Sequence, residues 1–295
     1  MSHSGSSDSS ESRPGRGDDP LDTAVWRLRS RGCWYDAAAL LAPRAAADPA
    51  MALRRTALLT EQCVFTAGGW AAAEEALRTA EALALTDEER GTAACERGHL
   101  AYAATLFQVR DRADEARAAL GRAAALLPPR SPARPLLDFR RGLCAQHLAH
   151  NPVGALAAFR RAHAGAAAHG DELLRSFTWR HLAALAEQSG DVHEARRGFT
   201  ESLRIREELG FLVGIAPALA ALAQVTDEPE AGRLRAEAAR LVRLLGVPAW
   251  LAERLRRADA PGTTGTGPGV AGASGTGRTA AGTTGPSPAG AADAG

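Results

Sequence analysis

One pattern of small and apolar residues recurs along this chain and limits its fold more than any other feature. Ala73, Leu77 and Ala80 form one copy. Ala116, Leu120 and Ala123 form a second, Ala155, Phe159 and Ala162 a third, and Ala195, Phe199 and Ser202 a fourth. Ala37 with Leu41, and Ala231 with Ala238, are fainter copies. Positions i, i+4 and i+7 share one face of an α-helix. The first members follow at steps of about 36, 43, 39, 40 and 36 residues, a period typical of stacked helical pairs. In such an array each repeat packs only on its neighbours, so 295 residues need not divide into separate cores.

The composition suits this reading. Apolar residues make up 45% of the chain and aromatics only 5%, so alanine dominates the apolar set. Alanine is the strongest helix former and lets helices approach closely. The formal net charge of +1 provides no global field for nucleic acid or an anionic membrane. The chain contains no lysine, which excludes a lysine Schiff base and an orthodox phosphate-loop lysine. Cys33, Cys63, Cys95 and Cys144 are scattered within helical patterns. With no apolar leader at the start and no run long enough to span a bilayer, a cytoplasmic protein with free thiols is expected.

Residues 1–20 are rich in Ser, Gly, Asp and Arg, and 258–295 form a Gly/Ala/Thr/Pro tract, so both ends are expected to be disordered tails. The repeat domain then spans 21–257. Boundaries between pairs fall at Asp48-Pro49, Thr86, Pro128-Pro129, Gly170-Asp171, Gly210 and 227–229. Turns within pairs fall at Gly32, Gly68-Gly69, Arg110-Asp111, Asn151-Pro152 and Gly190-Asp191. A last short helix should start near Pro248, with Trp250 and Leu251 covering the end of the stack.

The fifth pair carries the sharpest pattern: Trp179, Leu182, Ala183 and Ala186, then Gly190, then Ala195, Phe199 and Ser202. It resembles a tetratricopeptide (TPR) repeat. The longer steps resemble the repeat arms of LuxR-type bacterial transcriptional regulators, although the ATPase and DNA-binding modules of those regulators are not read here. The resemblance implies an all-α, right-handed TPR-like solenoid of about six helix pairs. Ala183 and Ala195 would mark the close approach, and Trp179, Leu182, Ala195 and Phe199 would form one buried cluster. The pattern departs from the family where Ala186 replaces the usual tyrosine.

No catalytic constellation stands out. Gly272 to Thr279 imitates a phosphate loop with arginine for lysine, but has neither the strand before it nor the helix after it that the motif requires. Cys144, His147 and His150 are three apart, so the outer two point away from each other on a helix, and no fourth ligand is evident. No metal and no cofactor are expected. A helical enzyme would need several of His147, His181, Glu187 and His193 to converge in a deep pocket.

In TPR-like arrays the first helix of each pair lines the concave face. That alignment places Arg97, Arg140, Arg141, Arg180 and His181 on the inner side, where arginine forks suit carboxylates. The expected function is therefore a non-enzymatic scaffold holding another protein or peptide of acidic character on the concave face. Neither a membrane nor direct nucleic-acid contact is expected. The alternative is a regulatory or ligand-sensing arm acting with a separate transcription factor or ATPase.

Overall fold

A computed structural model describes residues 19–248, 250–252 and 255. The two expected tails and the phosphate-loop imitation lie almost wholly outside them. The described residues form twelve consecutive α-helices: α1 Pro20–Ser30, α2 Trp34–Ala45, α3 Pro49–Thr66, α4 Trp70–Leu83, α5 Asp87–Leu106 and α6 Ala113–Leu126, followed by α7 Arg134–His147, α8 Pro152–Ala168, α9 Glu172–Gln188, α10 Val192–Leu209, α11 Leu212–Leu222 and α12 Glu230–Leu245. One 3-10 turn, Ala223–Val225, separates the last two. The chain is helical again at 250–252 and 255.

Local chemistry sets these boundaries. Asp48 accepts from the amides of Ala50 and Met51, and Pro49 takes the first helical position, where its missing N–H costs nothing. Thr86 and Glu89 form a reciprocal capping box at the start of α5. The two amides that Glu89 accepts from, those of Thr86 and Leu85, hold its carboxyl below the usual range. Asn151, Asp171 and Asp191 cap α8, α9 and α10 in the same way. Gly190 sits at φ +85°, the left-handed backbone that lets α9 turn into α10 within a few residues.

The helices pack sequentially in pairs, most closely α5 on α6, α7 on α8 and α9 on α10. The recurring triples are the seams of this packing, and every member of every copy is buried. Glycines on the opposing helices make the close approach possible. A Cβ on Gly98 would lie 2.6 Å from Leu120 Cγ, and one on Gly142 would lie 2.5 Å from Phe159 Cε1. The fifth pair exchanges the roles: Gly198 on α10 lets α9 in, where an added Cβ would meet Ala183 Cβ at 2.9 Å.

The expected four-residue cluster in that pair is only half right. Ala195 and Phe199 are buried together with Ala183, Ala221 and Val225. Leu182 instead packs against the neighbouring core built from α5 to α9. Trp179 is half-buried, with its ring 4.7 Å from that of His163 and the Arg197 guanidinium 5.1 Å above it. Its large indole serves as a platform on the flank of the pair instead of a plug at the seam.

The two ends of the array meet. Trp26 on α1 stacks on Phe211 at the start of α11, with ring centroids 6.0 Å apart. A Cβ on Gly32 would lie 2.9 Å from Val247 Cγ2 and 3.2 Å from Val213 Cγ1. One apolar core thus joins the first pair to the last, and the inner side is walled from both ends of the chain. Leu251 is buried against α11 and α12 beside Leu255, as expected of a capping turn.

Candidate functional site

The first helices of the pairs converge on one central chamber of about 230 Å³. Its wall takes residues from α1, α3, α5, α7, α9 and α11, with Arg206 from α10 and Trp250 completing it. Phe65, Tyr102, Phe107, Phe139, Phe177 and Trp250 all line it, a concentration of rings in a chain that is only 5% aromatic. Three of these rings are linked in series through Phe211 behind them. Phe65 meets Phe211 edge-on at 6.4 Å, Phe211 meets Phe177 at 5.9 Å, and Phe177 stacks on Phe139 at 6.1 Å. Such contacts between offset or edge-on rings add rigidity beyond simple burial.

Set into this apolar wall are Arg29, Glu61, His99, Arg140, Arg180, His181 and Arg206. Arg29 Nε donates to Glu61 Oε2 at 2.7 Å, so that pair is neutral overall. Arg140 is buried on α7, its Nη2 donating to Glu96 Oε1 at 2.7 Å and its Nη1 to Cys95 Sγ at 3.2 Å. Burial opposes the Arg140 charge, but Glu96 and then Cys95 outweigh it and hold the guanidinium more firmly protonated than usual. Two of the three Arg140 nitrogens are thus engaged by its own chain, while the buried Nε has no partner among the described residues.

His181, also buried, stacks on Phe159 with centroids 4.9 Å apart. Its Nδ1 lies 3.0 Å from Gln146 Oε1. An amide oxygen only accepts, so Nδ1 carries the proton in this neutral ring. Burial, then the charges of Arg180, His147 and Arg206, push its pKa well below the ordinary histidine value.

The five residues expected on the inner face therefore separate. Arg140, Arg180 and His181 do reach the chamber. Arg97 turns to the second-helix layer, donating through Nε and Nη2 to Glu81 on α4 and through Nη1 to Glu115 on α6 at 3.1 Å. Glu81 is the leading cause of its raised pKa. Arg112 joins the same network through Glu74 and Glu115. Arg141 is exposed and does not line the chamber.

The residue that sequence reasoning missed is Arg206. It is 2% exposed, yet no carboxylate lies within salt-bridge distance among the described residues. Its Nη1 donates to the Gly214 carbonyl at 2.8 Å and its Nε to Ser176 Oγ at 3.3 Å. The guanidinium lies 5.1 Å over the Phe177 ring. Burial, and then the Arg180 charge, push its pKa down to about 9. A signal was present: the stripe Ala195, Phe199, Ser202 continues by one further turn onto Arg206, placing a cation where an apolar residue belongs.

The remaining candidates are dispersed. His147 packs against the rings of Tyr102 and His181, and His150 is exposed just past α7. Among the described residues no group of three or more His, Cys, Asp or Glu comes together as metal ligands do. Of the groups whose convergence would point to a helical enzyme, only His181 lines the chamber. Burial pushes the Cys63 and Cys144 thiols up to about 12, so neither is a ready nucleophile.

No protein-family model matches this chain, and no curated protein resembles it significantly. Fold and chamber together define an all-α array of consecutive helix pairs with an aromatic-walled interior. Among the described residues no helix is long and apolar enough to cross a membrane.

Proposed function

We propose that this protein is a non-catalytic binding protein, a right-handed TPR-like array that holds its guest inside the chamber formed by its first helices. The carrying observation is the convergence of six first helices on one ring-walled cavity. Rigid pockets of this kind, mostly apolar with a few placed polar groups, suit small ligands. At about 230 Å³ the chamber falls below the roughly 300–1,000 Å³ of drug-sized sites, so the guest is compact.

The chamber favours the ligand-sensing reading over the capture of an acidic protein segment. Arg97 and Arg140, two of the arginines on which the acidic-segment reading depended, already hold carboxylates of this chain. The guest would set the relative placement of α1 and α11, which border the chamber, and a partner protein would read that placement.

Ala57→Trp tests the proposal. Ala57 lines the chamber, and an indole there would occupy the space of the guest. The wild type and the variant are purified from native cells, and bound small molecules and proteins are identified by mass spectrometry. A guest retained by the wild type and lost by a variant with an unchanged circular dichroism spectrum supports the reading. Identical retention by both would remove it.

A further inference from the structure

We propose that the guest is a small monocarboxylate with an apolar or aromatic body, its carboxylate seated on Arg206; this rests on the reading that the chamber holds a guest. A buried cation without a counter-charge is costly, and proteins pair such groups or let a bound ion pair them. Arg206 meets two neutral acceptors, Gly214 O and Ser176 Oγ, and its Nη2 has no protein acceptor among the described residues. The guanidinium is held in place from one side by those bonds and from another by the Phe177 ring. It is thus a pre-ordered donor with one edge to spare, facing a cavity.

The charge count selects a monoanion. Arg29 is matched by Glu61 and Arg140 by Glu96, so these two lining arginines bring no surplus. Arg206 brings one, because no carboxylate lies within salt-bridge distance of it among the described residues. A monocarboxylate neutralises Arg206, and its planar oxygens match an arginine edge. A dianionic phosphate would bring a second negative charge into an apolar wall, at a desolvation cost. The wall's other buried polar atoms without a partner are His99 Nδ1, Arg140 Nε and Glu61 Oε1, the last two belonging to the two matched ion pairs. His99 suits a hydroxyl or carbonyl on the guest. The rest of the surface, with Phe139, Phe177 and Trp250, suits an apolar or flat body.

The probes are benzoate, phenylacetate and hexanoate, each set against its neutral amide, with phenyl phosphate as the dianion. Binding to the full-length wild type is read by calorimetry and by the shift in Tm. At least one carboxylate should bind and raise Tm, while its amide binds at least about tenfold more weakly, as expected for a lost charged hydrogen bond. Arg206→Gln, provided its circular dichroism is unchanged, should lose a similar factor for the carboxylate and little for the amide. Equal binding of acid and amide, tighter binding of phenyl phosphate, or no binding by any carboxylate would overturn the proposal. The wild-type comparison decides even if Arg206→Gln does not fold. Should the carboxylates fail while Ala57→Trp still loses a guest, the chamber reading stands and the monocarboxylate falls. Failure of both would remove the chamber as well.

Discussion

Gly142→Ala should destabilise the protein although alanine is the better helix former. Gly142 lies inside α7, where replacing glycine by alanine gains about 1 kcal/mol of helix propensity when nothing obstructs the methyl. Here the new Cβ would stand 2.5 Å from Phe159 Cε1 and 2.6 Å from Cδ1, roughly 1 Å inside an ordinary contact. The ring cannot yield easily, because Phe159 is fully buried with His181 stacked on one side and Phe139 tilted against it. Overpacking of this kind costs about 1–3 kcal/mol, so the net effect is a loss of up to about 2 kcal/mol. Gly121→Ala is the control: it lies in α6, exposed, with nothing within 4 Å of its added Cβ. That variant should be stabilised by roughly 0.5–1 kcal/mol. The propensity term is common to both, so the difference between their urea midpoints isolates the packing term. In thermal unfolding each kcal/mol corresponds to about 2–4 °C for a domain of this size. Equal stabilisation of the two variants would mean that α7 does not meet α8 through Gly142 and Phe159, and the seam described above would be wrong.

Three further outcomes follow from the same packing. Phe199→Ala, which empties a fully buried site beside Ala183 and Ala195, should cost about 3–5 kcal/mol by urea unfolding; a loss under about 1 kcal/mol would place the ring elsewhere. Arg140→Ala strands the buried Glu96 carboxylate and should cost about 3–5 kcal/mol, whereas Arg140→Met with Glu96→Met should recover much of it; a single variant as stable as the wild type would refute the buried pair. His99, His147 and His181 are all held below the ordinary histidine value, chiefly by burial, His147 at about 4. As pH falls the unfolded chain protonates first, so stability is complete above about 6.5 and declines by up to about 1.4 kcal/mol per pH unit per histidine below it. A Tm that stays flat from about pH 6.5 to 5, above the range in which free carboxylates titrate, would argue against neutral buried imidazoles.

The seams were legible because their chemistry is local. Alanine at i, with a larger residue at i+4 and a small one at i+7, states which face of each second helix is buried, and capping residues state where helices begin. Asp48-Pro49, Asn151-Pro152 and Gly190 all act as read. The inner face was legible only in part, because a helix position says which way a side chain starts and not what it meets. Arg97 and Arg140 lie on successive first helices, yet Arg97 reaches outward to Glu81 and Glu115 while Arg140 turns to Glu96 on its neighbour. Those partners lie 16, 18 and 44 residues away, and nothing local selects them over solvent. Closure of the array was illegible for the same reason. Trp26 and Phe211 look like ordinary apolar residues near helix ends until the curvature of all six pairs brings them together.

On the proposed reading, that closure bears on what kind of guest the array would hold. An open array exposes the inner faces of its first helices, and an apolar inner face would then be a docking strip for a long partner. Here the inner face is built of rings, and the first and last pairs share one core across it, through Trp26, Phe65, Phe177 and Phe211. Phe65, Phe211, Phe177 and Phe139 touch in series, so this part of the wall is packed, and the cavity opens beside it. The cavity of about 230 Å³ is partly open, so its largely apolar lining is left in contact with solvent, which is unfavourable. An unpaired arginine beside that cavity adds a second cost. One small guest, apolar over most of its surface and negative at one end, would remove both costs together. On the proposed reading, these two features, an apolar cavity and an unmatched charge, act together because they lie side by side.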